Sequence, residues 1–218
     1  MYKPFKPSSF DKKDKDREDR FKQREPGMYV IDFMEFGNPG DKHVEHRNKP
    51  LAQGVGFKYF SLLEATPLPA VRLEIFEKVF FDSESKVRRI VHINYDDLTS
   101  VSKTNLEEAV KRIIIDNEKV FVNFFNIAEP VNIRMHVFEL LPGIGKKTVR
   151  TILDERKTKV FESFDDIRNR VKIDPVKVLA KRIVKEIEGG EKYYVFINPY
   201  PNPGIYLNYL EKLYSEYT

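Results

Sequence analysis

A chain of 218 residues with 41% hydrophobic and 13% aromatic side chains can bury one large core or two small ones, which excludes overall disorder. Without cysteine there is no disulfide framework, thiolate nucleophile or cysteine-bound metal, and no apolar run approaches a membrane span or signal peptide, so a cytoplasmic protein off the membrane is expected. The net charge of +4 is unevenly spread, +3 over residues 1–26, −3 over 27–130, +5 over 131–188 and −1 beyond, which puts positive charge where a polyanion would be met.

Residues 1–26 alternate acids and bases around Phe5, Phe10 and Phe21, the pattern of a charged arm that orders only on a protein or nucleic-acid partner. Short aromatic and β-branched runs at 29–36, 52–64, 74–81 and 86–94, separated by turn-formers, predict an antiparallel β-barrel over 27–103, of oligonucleotide-binding type. Lys42, Arg47 and Lys49 in the 41–50 loop, with Arg88 and Arg89 in the last strand, are candidate nucleic-acid contacts. His43, Glu45 and His46 lack the spacing of a helical zinc motif, so no metal is expected. The aromatics at 57–60 suit either a core or a stacking surface for bases, and core is the commoner use.

Thr104 with Glu107 three residues later makes a capping box. It opens a connecting helix over 104–130, with a stripe at Leu106, Val110, Ile113 and Ile114 and a heavy apolar face at 120–125.

Val131, Met135, Phe138 and Leu141 recur at helical spacings up to Pro142 and Gly143, where a helix must stop. A second helix starts near Gly145 and carries Val149, Ile152 and Leu153 on one face. Between the two, Gly143, Ile144 and Gly145 let a ligand approach the backbone, and the free first amides of the second helix suit one phosphate. Lys146, Lys147, Thr148 and Arg150 stand beside them, and nothing there reads a base edge. The run from Leu140 through Val149 resembles the helix-hairpin-helix motif, which grips nucleic-acid backbones without sequence preference. It does not fit the nucleotide phosphate loop, because Leu140 and Lys147 stand where that motif has Gly and Ser or Thr.

Shifted by thirty-one residues, 171–183 overlays 140–152 as a degraded copy, with Lys177 under Lys146 and Lys181 under Arg150. Ser163 and Asp174-Pro175 start its helices, but no glycine remains and Asp174 repels phosphate, so this copy is expected to be structural, with Lys177, Lys181 and Arg182 adding charge only. Residues 189–218 predict a strand at 193–197, a proline-rich turn and a helix over 205–217.

The expected fold class is therefore α+β: the barrel, the connecting helix and a tandem helix-hairpin-helix domain over 131–188. The segments 29–36, 54–64 and 124–126, with the hairpin at 140–152, resemble an archaeal family catalogued as domain of unknown function 655. The resemblance covers about residues 27–188. Its members are described as RNA-binding, which implies RNA, ribosomal RNA among it, as the partner. Three classes of function follow. The first is a non-enzymatic RNA-binding protein without cofactor. The second is a DNA-binding accessory of repair or recombination. The third is a nuclease built on scattered acids such as Asp32, Glu35, Asp96 and Asp97, although no catalytic motif is present.

Overall fold

The computed structural model describes residues 25–38, 48–199 and 201–215. Five strands, β1 (Gly27–Met34), β2 (Leu51–Gly56), β3 (Leu62–Pro67), β4 (Lys78–Phe80) and β5 (Val87–His92), make one antiparallel sheet in the order β4-β1-β2-β3-β5, curled as half a barrel. β1 reads as an almost unbroken apolar run because both of its faces are covered. Tyr29 and Ile31 enter the main core, while Met28 and Val30 join a smaller cluster with Leu63, Leu73 and Val79.

The expected barrel stays open. β4, three residues long, pairs with β1, and β5 pairs with β3, so β4 and β5 are the edges of the sheet. The run expected as one strand over 52–64 is split by a reversal in which Phe60 takes φ 60 and buries its ring.

Helix α1 (Ser100–Asp116) starts before the expected cap. Thr99 is the N-cap, its hydroxyl accepting the Ser102 N–H at 3.0 Å, and Thr104 lies inside the helix, donating to the Ser100 carbonyl at 2.9 Å. The helix breaks at Asn117, whose amide donates to the Ile113 carbonyl at 2.8 Å, and α2 (Glu118–Ile127) follows. Phe124 of α2 meets the rings of Phe138, Phe196 and Tyr209 at centroid distances of 5.0 to 5.6 Å.

No helix forms over 131–141. Instead β6 (Pro130–Asn132) and β7 (Met135–His136) make a small ribbon, and Val137–Leu140 completes a single 3-10 turn. His136 closes the start of that turn reciprocally, its Nδ1 accepting the Phe138 N–H at 3.2 Å while its own N–H donates to Glu139 at 2.8 Å. Pro142 then keeps Leu141 out of the helical region, so only one turn fits between the two stops.

Helices α3 (Lys146–Thr158), α4 (Phe164–Val171) and α5 (Pro175–Glu188) follow, the last two capped by Ser163 and Asp174 as their sequence predicts. The tail gives β8 (Tyr193–Tyr194) parallel to β9 (Ile205–Tyr206), then α6 (Tyr209–Ser215), both shorter than expected. One continuous core runs from Tyr29 to Leu213, with α1 packed on β1 and β2 and against α5. Among the described residues no helix is long and apolar enough to cross a membrane.

Candidate nucleic-acid interface

α3 begins at Gly145, an N-cap with no side chain to close it. The Leu141 N–H bonds the Phe138 carbonyl at 3.0 Å and the Ile144 N–H bonds the Leu141 carbonyl at 3.1 Å, which folds 141–144 into a tight turn. That turn needs Gly143 at φ 85, a left-handed conformation that costs side-chain-bearing residues energy. Ile144 is buried and pins the loop to the core. Gly145 is the N-cap, without a capping side chain, and a Cβ added at Gly143 or Gly145 would meet nothing within 4 Å. The first amides of α3 thus face open space at the positive end of the helix. Lys146, Lys147 and Arg150 are exposed and Thr148 is half-buried. Among the described residues the three cations have no ion-pair or hydrogen-bond partner at their charged ends.

The second hairpin is closed. Lys172 takes the left-handed position at φ 64, the Asp174 carboxyl accepts the Lys177 N–H at 3.2 Å, and Pro175 removes an amide. The site open at α3 is therefore filled by the chain's own acid at α5. Lys177 and Lys181 are exposed, with Lys185 one turn further along the same helix.

Arg182 is no surface contact: it is only 3% exposed. Its Nε bonds Glu186 at 2.7 Å, and its Nη1 bonds Glu191 at 2.8 Å and the Leu140 carbonyl at 3.2 Å; it also bonds the Tyr193 carbonyl. The helical stripe places position 182 between the buried Leu179 and Ile183, so its guanidinium points inward, where a sequence count of charge has no means to see it. It instead ties α5 to Leu140, three residues before the first glycine of the loop. Glu186, which burial pushes up against the opposing pull of Arg182, also accepts the N–H groups of Val195, Phe196 and Ile197 at 2.7 to 2.9 Å. Arg156 closes the far end of α2 through the carbonyls of Phe125, Asn126 and Ala128 at 2.8 to 3.3 Å. These positioning roles escape sequence reading because most of the partners are backbone groups away from the residue's own turn.

On the half-barrel, Lys49, Arg88 and Arg89 come together around one cavity at the corner of the sheet. Lys42, Arg47 and the His43–His46 pair lie outside the described residues, as does most of the expected arm. The 57–60 aromatics divide: Phe60 is in the core against Phe121 at 6.1 Å, while Tyr59 stands half-buried, edge-on to Tyr214 at 6.2 Å. Three of the four scattered acids have partners in the fold. Asp32 accepts the Thr99 hydroxyl at 2.6 Å, Asp97 the Asn94 N–H at 3.1 Å, and Glu35 faces Arg72 at 3.9 Å. No three His, Asp or Glu side chains gather as metal ligands among the described residues.

A family model described as "Protein of unknown function (DUF655)" matches residues 24–198. The uncharacterised protein MJ0038 of Methanocaldococcus jannaschii is 39% identical over 176 residues, 78% of each chain. The crystal structure of Af1531 from Archaeoglobus fulgidus, of the same family model, superposes with a TM-score of 0.73 at 40% identity, covering 80% of this chain and all of that one.

Proposed function

This chain belongs to the DUF655 family, and from that premise we propose that it binds nucleic acid without catalysing a reaction, holding RNA by its phosphate backbone. The observation that carries the proposal is the uncapped start of α3, flanked by three cations with no partner among the described residues, next to a copy plugged by Asp174. Amides at a helix start and lysines beside them suit any phosphate and distinguish no base, so recognition is of backbone rather than sequence. In this reading 137–158 is a helix-hairpin-helix unit whose first helix is reduced to one turn, 164–188 is its structural copy, and the half-barrel is an opened oligonucleotide-binding barrel. RNA is put ahead of duplex DNA on the family resemblance alone, since amides and lysines at a helix start hold either backbone.

The test is anisotropy titration of the full chain with two unrelated single-stranded RNAs and a duplex DNA across a salt series. Lys146→Ala with Lys147→Ala should weaken both RNAs alike and make the salt slope shallower by about one to two. An unchanged slope and affinity removes the loop as the contact. A preference of the unaltered chain for duplex DNA would favour the repair-accessory reading.

A further inference from the structure

The helices of this protein treat their cations in two ways. Among the described residues almost every lysine and arginine on them has a partner. On α1, Lys111 and Arg112 pair with Glu107 and Glu108, and on α4, Arg168 and Arg170 pair with Asp165 and Asp166. The rest are held by acids, tyrosine rings or backbone carbonyls. Two groups alone have no ion-pair, hydrogen-bond or ring partner at their charged ends. One is Lys146, Lys147 and Arg150 at the start of α3, and the other is Lys177, Lys181 and Lys185 along α5. α3 and α5 are the corresponding helices of the two hairpin copies.

On α5 the three lysines recur every four residues, so they stand about 6 Å apart along one exposed face. Like charges at that spacing destabilise a helix, and no acid of the fold relieves them. The acids at the two ends of α5 are already engaged, Asp174 by Arg168 at 3.7 Å and Glu188 by the Tyr95 hydroxyl at 3.3 Å. In the first copy Asp154 holds the place of Lys185 and pairs with Lys157, so the row belongs to the second copy alone. The second copy therefore closes its loop with Asp174 and Pro175 and carries its free charge on the side of its helix.

A row of unneutralised cations suits a ligand whose anionic groups repeat along its length, since a single small anion would engage one lysine and leave the others repelling. Asp174 repels a phosphate at the start of α5, so such a ligand lies along the helix and not at its end. Arg182, next to Lys181 in the chain, bonds the Leu140 carbonyl at 3.2 Å and fixes the middle of α5 beside the residues that enter the α3 loop. Both unpartnered groups thus belong to one packed helical unit. We infer that the side of α5 is a second contact for the nucleic-acid backbone, where Lys177, Lys181 and Lys185 meet phosphates of the strand held at the start of α3. The inference rests on the proposed function and extends it: one hairpin copy holds the strand by amides, the other by side chains. Lysine ammoniums act on phosphates as point charges, so this contact reads no base and adds affinity by linking two weak sites.

The experiment measures binding of the full chain to two unrelated single-stranded RNAs of about ten nucleotides over a salt series. Lys177→Gln with Lys181→Gln and Lys185→Gln should weaken both RNAs alike, roughly tenfold at low salt, and make the slope shallower by about two, at roughly 0.7 for each phosphate released. The melting temperature of that variant should be no lower than that of the unaltered protein, because the row makes no bond within the fold. Lys103→Gln with Lys111→Gln and Arg112→Gln takes the same charge from α1 and should leave slope and affinity in place. Equal losses from the two triple variants would trace the effect to net charge and overturn the inference. No loss from the α5 variant, while Lys146→Ala with Lys147→Ala still weakens binding, overturns it too and leaves the loop reading standing. If the loop pair is inert and the α5 variant is not, the loop reading falls and α5 remains the contact. Polyglutamate and phosphatidylserine vesicles test the other polyanions: if the α5 variant loses either of these and keeps its RNA affinity, the row serves an acidic protein or a membrane and the inference is overturned. Failure of the unaltered chain to bind either RNA overturns both readings.

Discussion

Gly145→Asp separates a phosphate site from a merely structural turn, because it should move stability and binding in opposite directions. The position already has the extended backbone of an N-cap, φ −98 and ψ 172, and an added Cβ meets nothing within 4 Å. An aspartate there would accept a first-turn N–H of α3, as Asp174 does for Lys177 at 3.2 Å. Replacing a glycine cap by aspartate adds a few tenths of a kcal/mol, and a negative charge at the helix start about 0.3–1 more. The expected gain is about 0.5–1 kcal/mol, a melting temperature higher by about 1–4 °C for a chain of this size. For binding, the carboxylate fills the anion position and repels a phosphate at about 4 Å by roughly 1 to 4 kcal/mol, depending on how wet the site is. RNA affinity should therefore fall by about ten- to a thousandfold, with a salt slope shallower by about one. Thermal melting and salt-dependent anisotropy on the same preparation decide it. A variant that melts higher and binds RNA as the unaltered protein does would refute the reasoning, since the amides would then not be the contact.

Other perturbations test the parts around the loop. Asp174→Ala removes a cap worth about 1 kcal/mol, so the melting temperature should fall by about 2–4 °C while RNA affinity stays within about twofold; a large loss of affinity would make the second hairpin a binding element. Glu186→Ala strips two buried amides, the half-buried Ile197 amide and Arg182 of an acceptor, at about 1–3 kcal/mol for each buried amide and up to about 3–5 for the weakened pair, in which Arg182 keeps only Glu191. That rivals the whole stability of a domain, so denaturant titration should find it largely unfolded, and a loss below about 2 kcal/mol would contradict the assigned bonds. Burial, and then Arg156, hold the His136 imidazole below its usual value of 6.5, so the folded chain binds that proton less readily than the unfolded one. Stability should then fall as pH drops below about 6.5, and His136→Asn, which can still cap the 3-10 turn, should flatten that part of the curve in denaturant titrations at several pH values; an identical curve would show that another group titrates.

Local chemistry was legible in the sequence at several helix starts and turns, though not at Thr99, which caps α1 where Thr104 was expected to. Gly143 and Gly145 around Ile144 announced a tight turn before a helix, and Ser163 and Asp174-Pro175 announced two helix starts, because caps and positive φ are set within a few residues. Short aromatic and β-branched runs between turn-formers likewise marked strands near β1 and β5. Tertiary structure decided what depends on partners far along the chain. Apolar spacing over 131–141 suits a helix, but Pro142 and the His136 cap leave room for one turn, and the same residues reach the core from a ribbon. The sheet stays open with β4 and β5 at opposite edges, a matter of strand order and register that composition does not carry. Arg182 counted as surface charge in the sequence, yet folding aims it at Glu186 and the Leu140 carbonyl, where it holds the loop it was expected to assist. Lys49 from the loop before β2, Glu64 of β3 and Arg88 of β5 share one cavity although they lie far apart along the chain. Pairing across a sheet brings together side chains separated by tens of residues, and only the folded register says which ones meet.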